Sequence, residues 1–236
     1  MDGAGKHEII IETPVHFKRL KDLEIPHIAE IFTAYRERMK ELSGNRVLKY
    51  ILIFKNEGRQ AGASLEHSHS QLIATPVVPH NVRIKTEGAN KYFRAYHTCV
   101  FCAILQEEIE KGLRILLKNK YFIAYTPFAS RVPYEITVMP RDHRADYKEI
   151  SDTEIGALAE MMKKVLTLLD RTLDSPPYNM LLHNKPNSEN NNASFHWHIE
   201  ILPKLATLAG FELGSGIFIN TTPPEEAAAH YKQFLD

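Results

Sequence analysis

Cysteine is scarce in this chain. Its 236 residues include only Cys99 and Cys102, too few for a secreted scaffold held by disulfides. Long apolar runs are missing too: no stretch reaches the roughly 18 residues a membrane-spanning helix needs. The first residues lack the basic-then-apolar layout of a signal peptide. Charge of either sign is not in excess. Lys plus Arg and Asp plus Glu number 29 each, so no global field draws a nucleic acid polymer or an anionic membrane. These absences lead to the expectation of a soluble, cytoplasmic protein with small-molecule partners. A chain of 27.0 kDa still has enough residues to bury a real core, in one large domain or two small ones.

What is present alternates between strand and helix signals. "HEIIIET" (7–13) reads as a β-branched strand stopped by Pro14. Residues 25–42 place Ile28, Ile31, Phe32, Tyr35, Met39 and Leu42 at helical spacing, with charges opposite. A buried strand follows at 47–54, then the turn-rich "KNEGRQAGAS", then a strand that opens "HSHSQ". Beyond a polar stretch at 80–97 the pattern predicts a short helix and strands near 113–117, 120–125 and 134–139. A long helix is expected at 151–173, opened by a Ser151/Glu154 capping box. "YNMLLHN" and "FHWHIEIL" supply two further strands, and Pro223-Pro224 opens a terminal helix.

The order of these signals occurs twice. Strand, "ETPVH", helix, strand, Asn56, loop and "HSH" are answered by strand, "MPRDH", helix, strand, Asn184, loop and "HWH". His16 and His143 lie 127 residues apart, Asn56 and Asn184 lie 128 apart, and both His67/His196 and His69/His198 lie 129 apart. Landmarks that keep register so closely indicate two copies of one α+β unit. The expected fold is therefore α+β, with tandem units that each carry an antiparallel sheet and a long helix. The first unit occupies 1–97 and the second 98–236. The copies differ in one place that bears on chemistry: His-x-His-x-Gln in the first, His-x-His-x-Glu in the second.

Period-two alternation puts His67, His69 and Gln71 on one face of a strand. A neutral imidazole is a nucleophile toward phosphorus when its other ring nitrogen is held by an acceptor. Gln71 projects beside His69 and can donate its amide N–H to a phosphoryl oxygen. The preceding loop is rich in small residues, so backbone amides around Gly62 can approach an anion, and Asn56 and Ser64 add side-chain donors. The bland alternative is a pair of structural histidines on a half-buried strand. In the second copy, Cys99-x2-Cys102 at a helix start presents two thiolates, and the repeat supplies His143 and His196 to complete a tetrahedral zinc site. A redox pair or two buried thiols are the alternatives there. The equivalents in the first copy, His16 and His67, have no cysteine before them, so that second metal site is incomplete.

Together "NEGRQAGASLEHSHSQ", "CVFCAI", "PRDH", "FHWHIEILPKL" and "AGFELGSGIFIN" resemble the galactose-1-phosphate uridylyltransferases, a histidine-triad branch with two tandem halves. The "HSHSQ" and "GFELGSG" spellings are closer to the ADP-glucose phosphorylase-like members. The resemblance runs from His7 to the C-terminus. Family members carry a further upstream segment with a first Cys-x2-Cys and part of the nucleotide pocket, so the chain is expected to be a shortened form.

The resemblance implies that His69 attacks the α-phosphorus of a nucleotide sugar, giving a covalent nucleotidyl-histidine, which a second sugar 1-phosphate resolves. UDP-glucose and galactose 1-phosphate are the substrates of that reading, and ADP-glucose phosphorolysis or nucleotide-sugar hydrolysis is the alternative. It further implies phosphate contacts from Asn56, Gly62, Ser64 and Gln71, hexose contacts from Phe211 and Glu212, structural zinc on Cys99, Cys102, His143 and His196, and a homodimer. His198 matches a metal ligand in only some relatives. A non-catalytic, zinc-stabilised binding module is the third reading.

Overall fold

The computed structural model describes residues 4–189, 191–207 and 209–235. Eight strands form one antiparallel sheet: β1 (Lys6–Ile11), β2 (Tyr50–Glu57), β3 (His69–Thr75), β4 (Ile115–Lys118), β5 (Phe122–Tyr125), β6 (Ile136–Pro140), β7 (Tyr178–His183) and β8 (His198–Pro203). Their spatial order is β1-β3-β2-β7-β8-β6-β5-β4. The β2–β7 ladder, with Asn56 opposite Asn179, joins the two units into a continuous sheet. About that seam β1-β3-β2 repeats as β6-β8-β7, and the ladders keep register. Ile10 opposite Ser70 is repeated by Val138 opposite Ile199, and Phe54 opposite Gln71 by Leu181 opposite Glu200. The expected α+β repeat is present, with its two sheets fused edge to edge.

Helices α1 (Ile25–Ser43) and α4 (Asp152–Leu173) lie side by side on one face of the sheet. The stripe of α1 named above, from Ile28 to Leu42, is its buried face. The α4 face buries Leu158, Met162, Val165 and Leu169 in the same core cluster. Its capping box forms: the Glu154 N–H donates to Ser151 Oγ, and the Ser151 N–H donates to Glu154 at 2.8 Å. Tyr147 Oη donates to the Phe32 carbonyl, which ties the second unit to α1.

The opposite face carries α2 (His80–Tyr96) and α3 (Val100–Lys111), and α6 (Pro224–Lys232) closes the chain. Three local differences from the sequence reading matter. The polar stretch 80–97 is helical; α2 buries only Thr86 and Ala89, too little apolar surface to announce itself. The histidine strand begins at His69, so His67 lies just before the ladder. "GFELGS", to which the sequence reading assigns no strand or helix, forms a short helix, α5 (Gly210–Ser215).

Candidate active site and metal centre

β3 sends Ser70, Leu72 and Ala74 into the core under α1, and the alternate residues His69 and Gln71 onto the other face. His69 is 3% exposed and borders a cavity of about 460 Å³, lined also by Lys55, Asn56, Arg59, Ser64 and His67. Its Nδ1 lies 2.8 Å from the His67 carbonyl. A carbonyl only accepts, so Nδ1 carries the proton and Nε2 keeps its lone pair. That is the tautomer a phosphorus-directed nucleophile needs.

The Gln71 carbonyl oxygen accepts from His7 Nε2 on β1 at 2.9 Å, which leaves the amide NH2 for another acceptor. The loop after β2 turns tightly at Arg59–Ala61, and Gly58 and Gly62 both take positive φ, +83° and +88°. A Cβ at Gly58 would stand 2.9 Å from Pro177 Cβ, so only glycine fits. Gly62 donates its own N–H to the Arg59 carbonyl at 3.0 Å, so its contribution is the turn it permits. Asn179 on β7 donates to both Asn56 Oδ1 and the Ala61 carbonyl at 2.8 Å, pinning that loop from the second unit. Neither His7 nor Asn179 stands out in the sequence. Their partners are 64 and 123 residues away, and only the sheet brings them together.

The cysteines of the second unit sit where α3 begins, with Cys99 capping it. Cys99, Cys102 and His143 bring one ligand atom each within 4.8 Å of one another. Cys102 Sγ lies 3.2 Å from His143 Nδ1 and 3.5 Å from His196 Nδ1. His143 donates Nε2–H to the Asn192 carbonyl at 2.8 Å, which leaves Nδ1 free to ligate. Hydrogen bonding from Cys102 brings the Cys99 thiol down to about 5, and the resulting thiolate pushes Cys102 up. The same sulfur raises His143, while burial drives His196 down to about 3 and keeps it neutral. The set therefore fits a metal ion: two sulfurs, one of them readily ionised, and two imidazoles facing them through Nδ1. Both cysteines are free of disulfide.

The first unit repeats half of this arrangement. His16 and His67 present Nδ1 to Nδ1 at 3.3 Å, with His67 Nε2–H on the Thr13 carbonyl. Their rings stand 5.4 Å apart at 55°, against 5.3 Å and 57° for His143 and His196, so the pairs occupy equivalent positions. Among the described residues no third His, Cys, Asp or Glu joins His16 and His67.

The counterpart strand of the second unit carries its histidine in a different setting. His198 donates Nδ1–H to the His196 carbonyl at 2.9 Å, copying His69, but its Nε2 faces Lys85 Nζ at 3.3 Å. Glu200, in the place of Gln71, binds Lys85 at 2.8 Å and His183 at 2.7 Å, and also pairs with Arg131. Burial opposes ionisation of Glu200, but His183 and Lys85 hold its carboxyl well below the usual range. Lys85, His198 and Glu200 border a second cavity of about 490 Å³, in which the histidine's Nε2 is already engaged by protein. Phe211 and Glu212 stand apart from both. They lie on exposed α5, where Glu212 accepts the Ala209 N–H at 3.1 Å, and neither lines the cavity at His69.

Comparison with known proteins agrees with this arrangement. Residues 27–235 match the family described as a domain of unknown function (DUF4921). An ADP-glucose phosphorylase of Arabidopsis thaliana is 35% identical over 228 residues, 96% of this chain and 64% of that protein. A galactose-1-phosphate uridylyltransferase of Thermotoga maritima is 32% identical over 240 residues, 98% of this chain and 75% of that protein. The crystal structure of an ADP-glucose phosphorylase from Arabidopsis thaliana with bound ADP-glucose has a TM-score of 0.92 at 32% identity, covering 99% of this chain and 75% of that one. The chain thus spans 64% and 75% of the lengths of the two relatives. Two repeated α+β units in one sheet, with a His-x-His-x-Gln strand in the first and a cysteine–histidine cluster in the second, define a tandem α+β repeat protein. Within that class, the chain belongs to the galactose-1-phosphate uridylyltransferase family.

Proposed function

We propose that this chain transfers a nucleotidyl group between a nucleotide sugar and a phosphate-bearing acceptor through a covalent intermediate on His69. The observation that carries the reading is the buried His69 ring, which borders a cavity while its Nδ1 is held by the His67 carbonyl. In the first step Nε2 forms a bond to the α-phosphorus as the bond from that phosphorus to the leaving sugar 1-phosphate breaks. In the second, an acceptor phosphate oxygen attacks the same phosphorus and releases the imidazole. A phosphoramidate is reactive enough for that return step. In this reading Ser64, which lines the cavity, and Gln71, two residues along the strand from His69 with its carbonyl held by His7, donate to non-bridging oxygens, where charge moves in the transition state.

Residues 1–97 carry the nucleophile in this reading, and 98–236 carry structural zinc on Cys99, Cys102, His143 and His196. Zinc would supply folding energy there and take no part in the transfer. The donor is UDP-glucose with galactose 1-phosphate as acceptor, or ADP-glucose with inorganic phosphate. The second pairing is supported by the 35% identity to an ADP-glucose phosphorylase. Resemblance to the uridylyltransferases implies a homodimer, in which Phe211 and Glu212, absent from the lining of their own chain's cavity, would contact a hexose at the partner's. The deciding experiment incubates the protein with UDP-glucose and ADP-glucose labelled at the α-phosphate and isolates labelled protein. Label on His69 with one donor names the base. Chase by galactose 1-phosphate or by phosphate names the acceptor, and absence of label with both donors refutes the proposal.

A further inference from the structure

His69 is flanked in sequence by two buried serines, Ser68 and Ser70, and both hydroxyls bind the carboxylate of Glu12. The same carboxylate accepts from Lys55 Nζ at 2.8 Å, in a pair whose side chains are 1% and 0% exposed. Lys55 also reaches Ser68 Oγ at 2.9 Å, Glu57 at 3.2 Å and the His69 carbonyl at 3.4 Å. The Glu12 N–H donates to the Ser68 carbonyl at 3.1 Å, and Tyr35 Oη meets Ser70 Oγ from α1. Backbone and side chains from 68 to 70 therefore hang on one buried ion pair.

The repeat supplies an internal control. Through the matched ladders, Ser68, Ser70, Lys55 and Glu12 correspond to Trp197, Ile199, Leu182 and Pro140. All four counterparts are buried and apolar, around a histidine whose Nε2 is engaged by Lys85. The same strand arrangement is thus built without any of the four polar groups. Exchanging a buried ion pair for apolar packing is often neutral or stabilising, so stability alone does not account for its presence in the first unit. What distinguishes that unit is the histidine with a free Nε2.

We propose that Glu12, tied to Lys55, is a positioning residue for His69. It clamps residues 68–70 so that Nδ1–H stays on the His67 carbonyl and Nε2 stays aimed into the cavity. The inference rests on His69 being the nucleophile, and misalignment of a reacting atom by about 1 Å can cost on the order of 100-fold in rate. Three proteins test it: the unaltered chain, Glu12→Gln, and the paired variant Glu12→Leu with Lys55→Met, which imitates the apolar second unit. Nucleotide-sugar affinity should stay within about 3-fold, while single-turnover labelling slows about 10- to 100-fold. The 15N shifts of the His69 ring should show one tautomer, protonated on Nδ1, in the unaltered protein and a mixture in both variants. A folded variant with unchanged labelling and a single tautomer overturns the proposal. Unfolding of both variants, including the single-group change in Glu12→Gln, overturns it as well and assigns the pair to the scaffold. If the unaltered protein takes no label from either donor, the nucleophile reading fails, and the ring shifts still decide whether Glu12 holds the imidazole.

Discussion

At the scale of single residues, the chemistry turns on which nitrogen of His69 carries the proton. The His67 carbonyl accepts the Nδ1–H, and in the proposed transfer that leaves Nε2 to attack without a separate base. His69→Gly should abolish covalent labelling while the fold and metal content stay as they are, checked by label transfer beside circular dichroism and metal analysis. Gln71→Ala removes one transition-state donor and should slow labelling about 10²- to 10³-fold. His7→Ala only frees the Gln71 amide to rotate, so a smaller loss, roughly 3- to 10-fold, should appear in the same assay. His69 and Gln71 were legible from period-two alternation. His7 was not, because a lone histidine on an exposed strand shows nothing of its partner until β1 is laid against β3.

At the scale of elements, the loop after β2 and the start of α4 make opposite predictions. Gly58 holds φ +83° against Pro177, so Gly58→Ala should distort the loop that shapes the cavity. Destabilisation of about 1–3 kcal/mol in denaturant melts should come with slower labelling. Ser151→Ala removes a helix cap far from His69, costing about 1 kcal/mol. A melting temperature lower by about 2–4 °C with unchanged labelling is the expected outcome. The cap was readable as Ser-x-x-Glu before an apolar run. Helix α2 was not readable, because its polar sequence buries two small residues and is held by contacts such as Lys85 to Glu200 and Asn90 to Glu189.

At the scale of the molecule, the cysteine–histidine cluster and the exposed C-terminal surface are what the proposed zinc site and the proposed dimer would use. Cys99→Ser should lower the melting temperature, and metal analysis of the unaltered protein should return about one equivalent of zinc. Two tightly held equivalents would show that His16 and His67 find further ligands, and none would return the cysteines to a redox or buried-thiol role. Phe211, Leu213 and Ile217 are 55%, 73% and 61% exposed, an apolar surface suited to a second copy. Light scattering should report a dimer, and Leu213→Glu should convert it to monomer.

The sequence by itself determined the local matters. Alternation, helical stripes, the cap and the spacing of 127 to 129 residues between matching histidines all depend on neighbours along the chain or on the count between landmarks. They were enough for an α+β repeat and for naming the residues of the two candidate sites. Only the tertiary structure decided which groups complete them. It joined the units through β2 and β7, set Asn179 on the loop after Asn56, and turned two imidazoles toward Cys102. It also set Lys85 on the Nε2 of His198, and it placed the buried Glu12–Lys55 pair beside the strand of His69. The physical reason is one of range. Backbone geometry is set within a few residues, whereas hydrogen bonds and ion pairs join whatever the sheet brings within about 3 Å, however distant in sequence.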